Sequence, residues 1–245
     1  MGIIIQKFGG SSVADTEKLL KVCEHITKTY EKGNKVVVVV SAQGKTTDKL
    51  IEEELEITNT PSKREHDVLV SVGEQITISK LAMCLNNQGY NAISYLGWQL
   101  PIITNDTHGN SNIIKINTDK ILTQLNKNNI VIVAGFQGIT KDGDITTLGR
   151  GGSDTTAVAL AAYLKADKLY IYTDVDGVYS EDPNTNSKAI KLNEISYNKM
   201  INMSKNGAKV LHTKCVELAK KYNVPIHVKS TFKKGTGTIV KQLLS

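Results

Sequence analysis

Val36–Val40 is an unbroken run of β-branched residues with no polar position. Such a segment favours a strand and offers water no face, so the strand must be covered on both sides. That requirement points to a mostly parallel sheet between two helix layers. Ile3–Gln6, Ile130–Ala134, Leu169–Thr173 and Ile226–Val228 have the same character, and Gly237–Val240 is a last strand candidate. Between them, Asp15–Tyr30, Asp48–Ile57, Glu65–Leu85, Thr118–Asn126, Asp154–Leu164 and Ala208–Tyr222 place apolar residues at helical spacing. Asp15 reads as an N-cap, and Gly33 and Gly89 as helix stops. The alternation predicts an α/β fold with a mostly parallel central sheet. Leu100–Ile116, rich in Asn, Thr and Gly, reads as irregular or short-strand surface structure suited to a flap.

No repeat, low-complexity tract or Pro-rich linker divides the 245 residues, so a single domain is expected. Lys plus Arg exceed Asp plus Glu by 30 to 24, a balance that suits an anionic ligand. The basic residues are scattered and only 5% of the chain is aromatic, which argues against nucleic acid as a partner. The early apolar run Ile3–Ile5 is too short for a signal segment or a membrane span. Cys23, Cys84 and Cys215 lack metal-ligand spacing and read as reduced cytoplasmic cysteines.

Two glycine loops carry the chemistry. Gly9-Gly10-Ser11-Ser12 follows the first strand and precedes the first helix, an order that presents backbone N–H groups to an anion. Lys7 adds a charge beside it. Taken alone, the same residues also describe a tight turn. The second loop, Gly149-Arg150-Gly151-Gly152-Ser153-Asp154, opens the helix that starts at Asp154, and Arg150 offers a fork for a carboxylate or phosphate. Gly44-Lys45-Thr46 imitates the end of a P-loop, but Val39 stands where its leading glycine is required.

Lys7 to Val13, Gly73-Glu74, Gly149 to Asp154, Thr173 to Tyr179 and Lys209-Val210-Leu211-His212 occur in an order that resembles the aspartokinases, over Ile3 to about Val240. The resemblance implies the amino-acid-kinase fold, a three-layer αβα sandwich. It implies an amino-acid lobe at about 1–150, a nucleotide lobe at about 151–245 and no ACT regulatory domain within this chain. It also implies phosphorylation of the aspartate side-chain carboxylate by ATP with Mg²⁺, at the start of lysine, threonine and methionine synthesis. L-aspartate and ATP are the expected partners, with a homodimer and a separate regulatory subunit as further expectations.

Position by position, the resemblance assigns Lys7, Gly9, Gly10, Ser11 and Lys209 to the ATP phosphates. Thr173, Asp174, Tyr179, Asp182 and Val210 fall to the nucleotide segment. Ser41, Thr47, Glu74, Arg150, Gly151, Gly152, Ser153 and Asp154 fall to the amino acid. Lys7, Asp154 and Lys209 are the expected catalytic groups, and no protein metal ligand is assigned. Asn184 replaces an arginine that commonly follows Asp-Pro in this family, and Thr213 and Asn112 are further departures.

These residue types suit the reaction. An aspartate side chain of pKa about 3.9 is already ionised at neutral pH, so its attack on phosphorus needs no general base. The task is to bring an anion against a triphosphate, which calls for cations and aligned donors. Arg150 suits the α-carboxylate, Glu74 the α-ammonium, and Asp154 either Lys7 or the ammonium. Another acyl or carbamoyl phosphotransferase of the same family is the nearest enzymatic alternative. A non-catalytic ligand-binding subunit is the alternative from a different class.

Overall fold

The computed structural model describes residues 2–181, 183, 186, 188–208 and 210–243. In chain order the strands are β1 (Ile3–Phe8), β2 (Lys35–Val40), β3 (Ala92–Tyr95), β4 (Ile102–Thr104), β5 (Ile113–Ile116), β6 (Ile130–Ala134), β7 (Gln137–Ile139), β8 (Ile145–Thr147), β9 (Lys168–Thr173), β10 (Glu194–Ser196), β11 (Ile226–Ser230) and β12 (Thr238–Lys241). The helices are α1 (Thr16–Tyr30), α2 (Thr46–Ile57), α3 (Lys63–Val70), α4 (Val72–Asn87), α5 (Asp119–Asn126), α6 (Gly152–Tyr163), α7 (Tyr197–Lys205) and α8 (Thr213–Tyr222).

The central sheet has eight strands in the order β10-β12-β11-β9-β1-β2-β6-β3. Every pairing in it is parallel except β11 with β12. The valine run, β2, is an interior strand between β1 and β6 and is covered on both faces as expected, and its pleat explains the three layers. Val37 and Val39 join Ile5, Val131 and Val133 in a core completed by residues of α5, α6 and α8. Val36, Val38 and Val40 point the other way, with Ile130 and Ile132, into a core completed by α1 and α4. All five valines are fully buried. At about 1.5–3 kcal/mol for each buried aliphatic side chain, these strands carry much of the driving force for folding.

The same alternation sorts β1. Gln6 faces α1, where its amide donates to Thr29 Oγ1 at 2.9 Å, while Lys7 faces α6. Asp15 caps α1 by accepting from the Lys18 N–H. Gly33 and Gly89 follow their helices with φ of +80° and +86°, the left-handed conformation a helix stop requires.

Several boundaries differ from the sequence expectation. The Glu65–Leu85 pattern is two helices, because the chain breaks at Ser71. The Ser71 hydroxyl bonds back to the Val68 carbonyl at 2.9 Å, and the Gln137 amide donates to the Ser71 carbonyl. Such local competition with the backbone ladder is what disrupts a helix at serine. The Lys63–Asn87 stretch is long and apolar enough to cross a membrane by length and composition, but half of the relevant window is buried inside the protein. The Ala208–Tyr222 pattern becomes helical only at Thr213, and α7 was not anticipated. Leu100–Ile116 is more ordered than a surface flap. Leu100 and Ile102 are fully buried, and β4 and β5 belong to a second sheet ordered β5-β4-β7-β8.

Candidate active site

The carboxyl ends of β1, β2 and β6 face the start of α6, and between them lies a cleft of about 480 Å³. Lys7, Gly10, Ser41, Thr47, Glu74, Arg150, Gly151, Gly152, Ser153 and Asp154 all line it. Residues remote in sequence meet here because parallel strands deliver their following loops to one edge of the sheet.

The first glycine loop continues β1 as a 3₁₀ turn, Gly10–Val13. It is bound to the loop after β2 by the Gly44 N–H, which donates to the Gly10 carbonyl at 3.0 Å. A Cβ on Gly10 would stand 2.6 Å from the Ala42 carbonyl oxygen, so only glycine allows this approach. A Cβ on Gly9 would occupy space beside the Lys7 ammonium, 3.6 Å away. The glycine at that position therefore leaves the backbone open to a ligand next to a cation, which fits a phosphate group.

On the opposite wall, Gly151 has φ of +74° and a Cβ there would meet His212 Cβ at 2.3 Å. Both facts demand glycine. They let α6 begin at Gly152 on the wall of the cleft, with the Gly152 N–H donating back to the Gly149 carbonyl at 2.9 Å, and Asp154 in that first turn complements the helix dipole. Arg150 is exposed at the lip and makes no ion pair among the described residues.

The floor is electrically loaded. The Lys7 ammonium lies 2.6 Å from Asp154 Oδ1. Glu74, only 3% exposed, comes from the first turn of α4. Its Oε1 accepts the Ala42 N–H at 2.9 Å, while Oε2 is buried without a partner among the described residues. Burial pushes the Glu74 carboxyl up to about 8, against the opposing pull of the Ala42 N–H and the Lys7 charge. An unpartnered buried carboxyl oxygen is a demand for a donor, and a ligand ammonium would meet it.

The remaining nucleotide positions among the described residues do not line this cleft. Thr173 ends β9, with its hydroxyl 3.0 Å from Asp174 Oδ1. Tyr179 donates to Asp176 Oδ1 at 2.9 Å, and Val210 packs against the core. Ser11 is exposed on the 3₁₀ turn. Asp182 and Lys209 lie outside the described residues, as does Asn184. A second cleft, about 590 Å³, opens on the α1 side between Lys21, His25, Tyr172 and Phe232. It is larger, but it gathers none of the expected amino-acid ligands.

Sequence reasoning missed several groups at the site. Gly44, set aside with the imitation P-loop, lines the cleft, as do Asp48, His66, Gly109, Phe136 and Thr147. Behind Gly109 and Thr147 stands Asp67, fully buried. It accepts from His108 Nδ1 at 2.9 Å, from the Gly109 N–H at 3.0 Å and from the Thr147 hydroxyl. Among the described residues no three His, Cys, Asp or Glu side chains gather as a metal cage.

These features define an αβα protein with a cleft at the carboxyl edge of its sheet, between a glycine turn and a helix N-terminus. The Amino acid kinase family matches residues 2–230, and the chain belongs to that family. It is 54% identical to the aspartokinase of Geobacillus stearothermophilus over 245 residues, all of this chain and 60% of that protein. Aspartokinase 2 of Bacillus subtilis is 53% identical over 242 residues, 99% of this chain and 59% of that protein. The chain thus spans about three-fifths of the length of these relatives. Among solved structures, aspartate kinase from Synechocystis superposes with a TM-score of 0.87 at 43% identity, covering 98% of this chain and 40% of that one. Escherichia coli aspartokinase III in complex with aspartate and ADP gives 0.88 at 28% identity, covering 99% and 65%.

Proposed function

We propose that this chain is the catalytic part of an aspartate kinase, transferring the γ-phosphoryl group of ATP to the side-chain carboxylate of L-aspartate. One observation carries the reading: the Lys7–Asp154 pair, Glu74 with its unpartnered oxygen, and Arg150 surround one cleft beside the glycine turn. The similarity to an aspartokinase solved with aspartate and ADP supports the choice of ligands.

In this reading Glu74 receives the substrate ammonium and Arg150 the α-carboxylate, with Ser41, Thr47 and the Gly151–Ser153 backbone completing the pocket. The side-chain carboxylate is then directed at the glycine turn, where the γ-phosphate would lie beside Gly9 and against the Gly10 and Ser11 amides, the Gly9 N–H being taken by the Tyr172 carbonyl at 3.3 Å. A carboxylate oxygen forms the new bond to phosphorus as the bond to the ADP oxygen breaks. Lys7 stabilises the charge spread over the transferring group, and Asp154 keeps the ammonium in place. Lys209 would add a second cation, and Thr173, Asp174, Tyr179, Asp182 and Val210 the nucleotide contacts. Mg²⁺ would neutralise phosphate charge, anchored chiefly by the phosphate oxygens since it needs few carboxylate ligands.

Hydroxylamine traps acyl phosphates as hydroxamates. With ATP, Mg²⁺ and aspartate the protein should form a hydroxamate, and Lys7→Met should not. Hydroxamate from glutamate but not from aspartate would overturn the substrate assignment.

A further inference from the structure

Two cysteines that play no part in the proposed chemistry stand together behind the site. Cys23 lies in the middle of α1 and Cys84 in the last turn of α4, and their sulfurs are 2.7 Å apart. Both helices are held in that relation by a shared core in which Leu19, Val22 and Ile26 meet Ile78, Leu81 and Leu85. The separation exceeds a disulfide bond of about 2.05 Å. It places the two sulfurs in direct contact between the helices.

The two thiols differ in access. Cys23 is fully buried and burial pushes its thiol up, so it is a poor first nucleophile. Cys84 is partly exposed, so a small oxidant can reach its sulfur, and the Gln88 side-chain amide donates to that sulfur at 3.6 Å. The arrangement gives Cys84 the role of the attacking thiol and Cys23 that of the resolving thiol.

We propose that Cys23 and Cys84 are a reversible oxidation site that closes to an intramolecular disulfide joining α1 to α4. With a small-molecule disulfide as oxidant, the Cys84 thiolate attacks one sulfur and the other leaves as a thiolate. Cys23 then attacks the Cys84 sulfur of the mixed disulfide, its proton passing to the second departing thiolate. Two protein thiols and one disulfide become one protein disulfide and two small thiols, so atoms and electrons balance. The bridge would tie the helix that follows the glycine turn to the helix that carries Glu74. Cys215, fully buried on the other side of the sheet, serves as an internal control.

The test is incubation of the purified protein with oxidised glutathione, then peptide mapping under non-reducing conditions. The expected product is a Cys23–Cys84 linked peptide, reversed by dithiothreitol, with Cys215 still a thiol. In Cys23→Ser the reaction should stop at a glutathione adduct on Cys84. Thermal melting should rise in the oxidised wild type but not in Cys84→Ser treated identically, because the bridge closes a loop across 61 positions. Wild-type protein that keeps both thiols, or that accumulates only the Cys84 adduct without a bridge, would overturn the proposal. None of these readouts depends on kinase activity.

Discussion

Lys7 and Asp154 face each other at 2.6 Å with side chains only 10% and 13% exposed, one delivered by the first strand and the other by the first turn of α6. Each offsets the other's charge in a place where a lone charge would be costly to bury. Removing one partner of a buried pair costs about 3–5 kcal/mol, whereas replacing both with apolar groups can be neutral. Lys7→Met and Asp154→Leu should therefore each destabilise the fold, and the double variant should recover most of that loss. Activity should behave differently. Loss of the cation should lower kcat by roughly 10²–10³-fold, as for other preorganised donors to a developing charge, and the double variant should stay inactive. Denaturant melts and initial rates on the three variants check both halves. Recovery of activity with stability would remove Lys7 from the chemistry.

Glu74 makes a pH prediction. Its carboxyl is raised to about 8 in the folded chain from an ordinary 4.5. Below the ordinary value both folded and unfolded states hold the proton. Between the two values only the unfolded state gives it up, so wild-type stability should fall as pH rises through that window and level off above it. Glu74→Gln abolishes the titration and should gain stability over wild type by a few kcal/mol at most from pH 5 to pH 8. A ligand ammonium against Oε2 reverses the preference and draws the proton off. Aspartate should then bind wild type with proton release near pH 7 and more tightly as pH rises toward 8. Calorimetry in buffers of different ionisation heat measures that release, and Glu74→Gln should show none.

Arg150 was legible because three glycines around it announced a backbone built for close approach. An arginine grips a carboxylate with two parallel hydrogen bonds, and a lysine cannot reproduce the fork. Arg150→Lys should raise the KM for aspartate roughly 10- to 100-fold, the range for loss of one charge-assisted hydrogen bond. The KM for ATP and the melting temperature should hardly move, since Arg150 is exposed and supports nothing else among the described residues. Parallel rises in both KM values would place Arg150 at the nucleotide instead.

The contrast between these residues shows what a sequence reveals. Val36–Val40 announced its own burial, so the central sheet and its layers could be read directly. Lys7 is one polar residue in a strand and would pass for a solvated position without the glycines beside it. Its partner lies in a distant helix, and no local pattern encodes that meeting. The Ala42 N–H that holds Glu74 was invisible for a different reason, because a backbone donor leaves no mark on residue type. β4, β7 and β8 have three residues each, too few to display alternation. Asp67 sits among helical residues, where an acidic side chain normally faces water.

Asp67 and Lys214 together hold the wall of the cleft that leads to Arg150. Asp67 receives His108, Gly109 and Thr147 from one side. From the other, the Lys214 ammonium donates to Asn110 Oδ1 at 3.1 Å, the Ser111 carbonyl at 2.7 Å and the Leu148 carbonyl at 3.0 Å. A buried anion and a partly buried cation thus grip the same two loops, and the second loop continues directly into Gly149 and Arg150. Asp67→Asn puts an amide among donors and leaves at least one N–H or O–H unsatisfied, at about 1–3 kcal/mol. Lys214→Met strips two carbonyls of their donor at similar cost, while Lys214→Arg retains donors. Both disruptive variants should loosen Arg150 without touching substrate. The KM for aspartate should rise about tenfold, a shift of about 1.4 kcal/mol, with the KM for ATP unchanged and Lys214→Arg largely restored. Were these residues only struts for the fold, melting temperature would fall while the two KM values kept their wild-type ratio.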